Sequence, residues 1–181
     1  MFWKRLWLAL VLVLPGPLWA NDWAALDQPG AFAIMRHALA PGTGDPAVFE
    51  IGDCATQRNL DARGRAQARA IGTAFKARGQ EFDVVLTSQW CRCRDTAKLL
   101  ALGPVEDAPA LNSFFADFSR REAQTTDALA LLSGRGDRPF VVTHQVNIRA
   151  LTGRTTRSGE VLVVRAAGEG LEVLGAILID P

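Results

Sequence analysis

Apolar residues recur along the chain in short runs of strand length: Ala31 to Met35, Phe82 to Leu86, Phe140 to Val142, Val161 to Val164 and Leu171 to Leu178. Continuous runs of this size predict strands covered on both faces. Between the early runs the pattern changes to a helical period. Over Gly64 to Lys76 the residues Ala68, Ile71 and Phe75 share one face, and Gly79 stands where a helix is capped. Arg94 to Leu102 and Asp127 to Leu132 read the same way, closing at Gly103 and Gly134, while the last two runs form a strand pair around Gly168-Glu169-Gly170. Strands alternating with helices predict an α/β fold, a three-layer αβα sandwich with a mainly parallel central sheet. Ligands of such sheets gather beyond the carboxyl ends of the strands.

The first residues stand apart from this pattern. Lys4 and Arg5 precede an apolar run, Leu6 to Leu14, followed by Pro15, Gly16, Pro17 and the small Ala20. That is the build of a secretory signal over residues 1–20, cut after Ala20 and followed by one domain over 21–181. The run falls short of the ~20 apolar residues that span a bilayer. An uncleaved anchor is the alternative, and only in that form does the chain touch a membrane. Either way the domain is expected to be periplasmic or secreted. Losing Lys4 and Arg5 takes two from the 20 basic residues, leaving 18 against 19 acidic ones, a formal charge of −1. That balance gives no support to a nucleic-acid partner.

The chain carries Cys54, Cys91 and Cys93. In an oxidising compartment three cysteines make one disulfide and one thiol. A Cys91 to Cys93 bridge closes a very small ring, so Cys54 is expected to pair with Cys91 or with Cys93. Zinc would need about four ligands at workable spacing, which this set does not supply, and no metal is expected.

Three of the apolar runs end in residues suited to chemistry: Arg36-His37, Thr87-Ser88 leading to Arg92, and Thr143-His144. All three would open on one sheet edge. The chain has only two histidines, and each directly follows a strand. Phosphoryl transfer needs an in-line nucleophile and several cationic donors for the equatorial oxygens. The planar fork of arginine gives two parallel hydrogen bonds to a phosphate and stays charged, which suits Arg36 and Arg92. A neutral imidazole with its other nitrogen fixed by a carbonyl is a competent nucleophile, which suits His37.

Met35-Arg36-His37, Leu60-x-x-x-Gly64-Arg65-x-Gln67-Ala68, Ser88-x-x-x-Arg92-x-x-x-Thr96-Ala97 and Val142-Thr143-His144 resemble, in order, the histidine phosphatase superfamily, also called phosphoglycerate-mutase-like, branch 1. The resemblance runs from about Phe32 to Gly153. It implies that His37 is phosphorylated, that Arg36 and Arg92 clamp the phosphoryl group, and that His144 donates to it. It implies no metal or organic cofactor.

The sequence departs from that pattern at three places. Ala38 replaces the usual glycine, Thr43 stands where an asparagine is common, and Asn112 lies where many members place a glutamate proton donor. Asp45 and Asp117 are the candidate donors that remain, since a leaving alkoxide must be protonated. Thr43, in the turn-rich segment Pro41 to Pro46, and Gln145 are the expected substrate contacts. Trp90, Phe114 and Phe115 are candidate pocket walls. With Cys54 bridged to a cysteine beside Arg92, oxidation would support activity. The expected function is an exported phosphomonoester phosphatase acting on a small phosphorylated substrate, with an envelope phosphosugar as candidate. Export argues against a glycolytic mutase, and Asn112 leaves open a catalytically silent phosphate-binding module.

Overall fold

The computed structural model of the protein describes residues 21–179. The expected signal over 1–20 lies outside the described residues. A six-stranded sheet forms the middle layer, in the order β3-β2-β4-β1-β5-β6. Strands β1 (Phe32–Arg36), β2 (Val84–Thr87), β3 (Val105–Asp107) and β4 (Pro139–Thr143) run parallel, while β5 (Val161–Ala167) is antiparallel to β1 and to β6 (Gly170–Ile177). The fold is therefore mixed α/β of the expected layered kind. Helices α1 (Ala62–Lys76) and α2 (Cys91–Leu100) cover one face, and α3 (Arg121–Ser133) and α4 (Gln145–Thr152) the other.

Alternation along each strand builds two cores. Ala33, Met35, Phe140 and Val142 meet Ile71, Phe75 and Leu100 on one side, while Ile34, Leu86 and Val141 meet Ala128, Leu132 and Ile148 on the other. Every residue of β2 and β4 is buried, as the unbroken apolar runs require.

Local chemistry sets the helix limits. The Asp61 side chain accepts the Gly64 N–H at 2.7 Å and caps α1, whose buried residues Gly64, Ala68, Ile71 and Phe75 keep the helical period. Helix α2 differs from the expected span at both ends. It begins three residues earlier, because Cys91 and Arg92 point inward from its first turn, and it stops when Ala101 takes a left-handed conformation (φ 51°). Helix α3 starts earlier than the apolar pattern allows, since its first turns bury only Gln124. Two elements escaped the pattern altogether: β3 is a fully exposed edge strand, and α4 follows His144 without a polar boundary.

Helices α1 and α2 approach so closely that a Cβ on Gly72 would lie 2.0 Å from the Leu100 carbonyl oxygen. Gly72→Ala should therefore lower the unfolding free energy by about 1–3 kcal/mol. Gly136→Ala, with no atom within 4 Å of its Cβ position, should change it by less than about 0.5 kcal/mol. Urea denaturation of the two variants checks the contrast.

Candidate active site

Register brings the two histidines together. Arg36 is paired with Thr143 across β1 and β4, so the residues that follow, His37 and His144, leave the sheet side by side. The His37 N–H donates to the Thr143 carbonyl at 3.0 Å, one further rung of the same ladder. Strand β2 ends level with them, Thr87 opposite Val142, and hands the chain to Ser88 and α2. The imidazole rings lie 5.6 Å apart, centroid to centroid.

Arg92 reaches from the first turn of α2 into the space between them. Its Nε–H donates to His37 Nε2 at 3.2 Å, and its Nη2 lies 3.5 Å from His144 Nδ1. Its two terminal nitrogens grip both oxygens of Asp45, at 2.7 and 3.0 Å. The Trp90 indole N–H (3.0 Å) and the Arg58 N–H (3.1 Å) donate to the same carboxylate. Burial opposes the Asp45 charge, but these donors and Arg92 outweigh it and hold its pKa below the ordinary 3.8.

The His37 ring is fixed through one nitrogen and turned to the cavity with the other. Its Nδ1–H donates to the Ala38 carbonyl at 2.8 Å, which leaves the Nε2 lone pair facing Arg92 and the cavity. Burial, then the Arg92 charge, pushes its pKa well below 6.5, so the ring is neutral in the free protein. His144 is depressed for the same two reasons in the same order, with His37 adding to them. Ser88 Oγ (2.8 Å) and Cys93 Sγ (3.5 Å) face its Nε2, which turns Nδ1 toward the cavity. The Cys93 thiol, fully enclosed, is pushed up to about 12 by burial and stays protonated.

The residues that resemble the family motifs are the props of this geometry. Thr96 Oγ1 accepts the Ala38 N–H at 3.1 Å and donates to the Arg92 carbonyl at 2.7 Å, tying the segment after His37 to the first turn of α2. Gln67 accepts from the Leu39 N–H (2.9 Å) and donates to the Ser158 carbonyl (3.0 Å). A Cβ on Gly64 would lie 1.9 Å from the Leu39 carbonyl oxygen. Ala38 serves in place of a glycine because its backbone needs no positive φ and its methyl packs on Leu60 and Ala68.

Asn112 occupies the glutamate position as a strut. Its Oδ1 accepts from Gln89 N (2.9 Å) and Ser88 Oγ (3.3 Å), and its carbonyl accepts from Asn147 Nδ2 (2.9 Å) and from Gln124. The Ser88 that backs His144 is thereby fixed.

A cavity of about 450 Å³ opens over these groups. Arg36, His37, Asp45, Arg92 and His144 line it, as do the expected contacts Thr43 and Gln145 and the other candidate donor, Asp117. Asp117 sits exposed at the mouth, where the Ser119 hydroxyl and N–H keep its carboxyl below the ordinary range. Gln145 already accepts from the Thr156 N–H and hydroxyl through its side-chain oxygen, so only its amide N–H groups remain for a ligand.

Arg58 was not legible in the sequence. Its Nε donates to the Gly44 carbonyl at 2.7 Å and its Nη1 to the Ala40 carbonyl, and it lines the cavity as a third guanidinium. Burial, then Arg92, lowers its pKa; Arg36 is lowered by the same two causes. The signal that leads to Arg58 is Cys54, because its partner is Cys91 (Cα–Cα 5.7 Å), which pulls the segment ahead of α1 onto the clamp. Cys93 is the free thiol. Among the described residues no cluster of metal-ligating groups occurs.

The Arg36 Nε is buried with no hydrogen-bond partner among the described residues. Three guanidinium groups thus face one carboxylate at the cavity floor. An oxyanion supplies both the missing acceptor and the missing charge.

Comparison with known proteins agrees with this geometry. Residues 33–114 match the model of the histidine phosphatase superfamily (branch 1). Three solved structures share the fold. An alpha-ribazole phosphatase from Shigella flexneri is 17% identical, with 83% of this chain and 100% of that chain covered and a TM-score of 0.58. A phosphoglycerate mutase from Thermus thermophilus is 19% identical, with 83% and 99% covered and a TM-score of 0.58. The protein histidine phosphatase SixA complexed with tungstate is 19% identical, with 81% and 96% covered and a TM-score of 0.53. No curated protein matches the sequence.

The disulfide should matter for both stability and binding. The Cys54–Cys91 bridge spans a sequence separation of 37; reducing it should cost roughly 3–4 kcal/mol of stability. It should also weaken oxyanion binding, because Arg58 and Asp45 lose their anchor. Denaturation and tungstate titration with and without dithiothreitol check both effects.

Stability should also depend on pH. Both histidines have folded pKa values below the unfolded 6.5, so below that value the unfolded chain binds more protons and stability rises with pH. Denaturation between about pH 7.5 and 5 should show stability falling toward acid, with a shallower slope in His144→Gln. Equal slopes would contradict the assignment.

Proposed function

We propose that the protein is a phosphomonoester phosphatase working through a phosphohistidine on His37. The observation that carries this is the neutral, carbonyl-fixed His37 whose Nε2 faces a floor of three arginines and His144. In the first step the Nε2 lone pair forms a bond to phosphorus, and the bond from phosphorus to the ester oxygen breaks. Arg36, Arg92 and Arg58 neutralise the equatorial oxygens, and His144 Nδ1 donates to one of them.

The leaving oxygen needs a proton, and Asp45 is the donor this geometry favours. A phosphate dianion competes with Asp45 for the Arg92 fork. Displaced, the carboxyl loses the cation that holds it ionised and gains an anionic neighbour, and both changes raise its pKa. It takes up a proton from solvent as it is displaced, and passes that proton to the leaving alkoxide. In the second step it takes a proton from water as the water oxygen attacks phosphorus and the electron pair returns to His37. Asp117, exposed at the mouth, is the reserve donor.

Location outside the cytoplasm is part of the proposal. The signal-like segment over residues 1–20 supports it, as does a disulfide, a bond that persists in oxidising compartments. A phosphorylated envelope sugar is then an accessible substrate class.

Rapid quench of the purified protein with a labelled aryl phosphate tests the reading. An acid-labile, alkali-stable label on residue 37 is expected, absent in His37→Ala, with turnover down by at least about 10³-fold and indifferent to EDTA. Binding of phosphate without label or turnover would identify a silent binding module instead.

A further inference from the structure

The outer half of the cavity differs in chemistry from its floor. Among the described residues five large apolar side chains are exposed: Val48, Ile51, Val105, Phe115 and Phe118. Three of these belong to the cavity mouth. Ile51 and Phe115 line it, and Phe118 stacks edge-on against Phe114 (5.9 Å) and Phe115 (6.1 Å). Phe118 is 59% exposed and Phe115 49%, values that leave about half or more of each residue in water.

Apolar residues from separate segments of the chain build the walls of the cavity. Phe49 packs on Trp90 with ring centroids 5.4 Å apart, and Trp90 leans in turn on His144 at 5.4 Å. The Phe49–Trp90 pair therefore runs outward from His144. Phe115 approaches the turn at Gly44, where an added Cβ would sit 3.8 Å from its ring. Single exposed hydrophobic residues are ordinary on protein surfaces, whereas a cluster continuous with a charged cavity marks a binding site.

Thr43, Ser113, Asp117 and Arg120 also line the cavity, but apolar side chains make up the larger part of these walls. The Trp90 indole N–H is used by Asp45, and the side-chain oxygen of Gln145 by Thr156. A polyhydroxylated leaving group would lose water over the apolar part of these walls and regain few directed hydrogen bonds, which costs affinity. An apolar one loses only unfavourable hydration.

We infer that the preferred substrates are phosphomonoesters whose leaving group carries an apolar body, a short acyl or alkyl chain or an aromatic ring, seated against the Phe49–Trp90 and Phe114–Phe115–Phe118 walls. This rests on the phosphatase reading and narrows it. A phosphosugar meets the criterion only when it bears such a body.

Primary alkyl phosphates test this cleanly, because lengthening the chain leaves the leaving-group pKa and the chemical step almost unchanged. Burying a methylene improves affinity roughly three- to fourfold. Hexyl phosphate should therefore show kcat/KM at least about tenfold above ethyl phosphate even if its chain is only partly covered. Glucose 6-phosphate should fall with ethyl phosphate. The hexyl-to-ethyl ratio should collapse toward one in Phe115→Ser/Phe118→Ser, both exposed positions whose change spares the core. A flat chain-length series, a preference for glucose 6-phosphate, or a ratio that survives in the double variant would overturn the inference.

Non-hydrolysable ethyl- and hexylphosphonate, titrated calorimetrically, separate this idea from the catalytic one. Tighter binding of the hexyl compound in a protein without turnover would uphold the apolar mouth while sinking the phosphatase reading. Equal binding would sink the apolar mouth. Partition onto neutral phosphatidylcholine vesicles without any chain-length effect would assign the patch to a membrane surface and likewise overturn it.

Discussion

Arg92 is 3% exposed, sits between two neutral imidazoles, and has one carboxylate, Asp45, to balance it. A guanidinium in such a place is tolerable only while its donors are paired. Much of the surrounding architecture serves that condition. Helix α2 carries Arg92 inward from its first turn, Thr96 holds the backbone carbonyl of that turn, and the Gln57 side chain accepts the Cys91 N–H at 2.9 Å. The segment from Cys54 to Arg58 is tied across by the disulfide, and Arg58 pins the turn that offers Asp45. Burial first, and then the Arg92 charge, hold the pKa values of His37 and His144 well below 6.5. Together they prepare the nucleophile and disfavour protonation of its neighbour.

The cavity floor is also short of negative charge. Arg36, Arg58 and Arg92 face Asp45, and the Arg36 Nε lacks a partner among the described residues. A tetrahedral dianion completes this arrangement better than a carboxylate, having more acceptor oxygens and more charge. Binding would reverse the electrostatic sign felt by His144 and by the displaced Asp45. Groups that are respectively neutral and ionised in the free protein would then become a donor and an acid. The leaving group sees a different environment, because the apolar mouth offers contact area and few hydrogen bonds.

Much of the fold was legible because it rests on burial. Unbroken apolar runs marked out the inner strands β1, β2 and β4, and their polar ends placed Arg36, His37, Arg92 and His144 on one edge. The motif spacings were legible too, although their reasons were not. Gly64, Gln67 and Thr96 act through backbone contacts with residues 38 and 39, and no local pattern announces that. What stayed hidden lacks a burial signal. The edge strand β3 is fully exposed, the early turns of α3 are polar, and α4 begins without a boundary residue. Arg58 was invisible because it follows no strand. It reaches the site only through a disulfide whose partner the sequence left open between Cys91 and Cys93.

Both imidazoles should belong to one oxyanion site. The chain has only two histidines, so their ring resonances, followed by NMR during a tungstate titration, report on it without ambiguity. Both rings should shift together along a single binding curve. One ring responding alone, or neither responding while tungstate binds elsewhere, would contradict the shared site on which the mechanism depends.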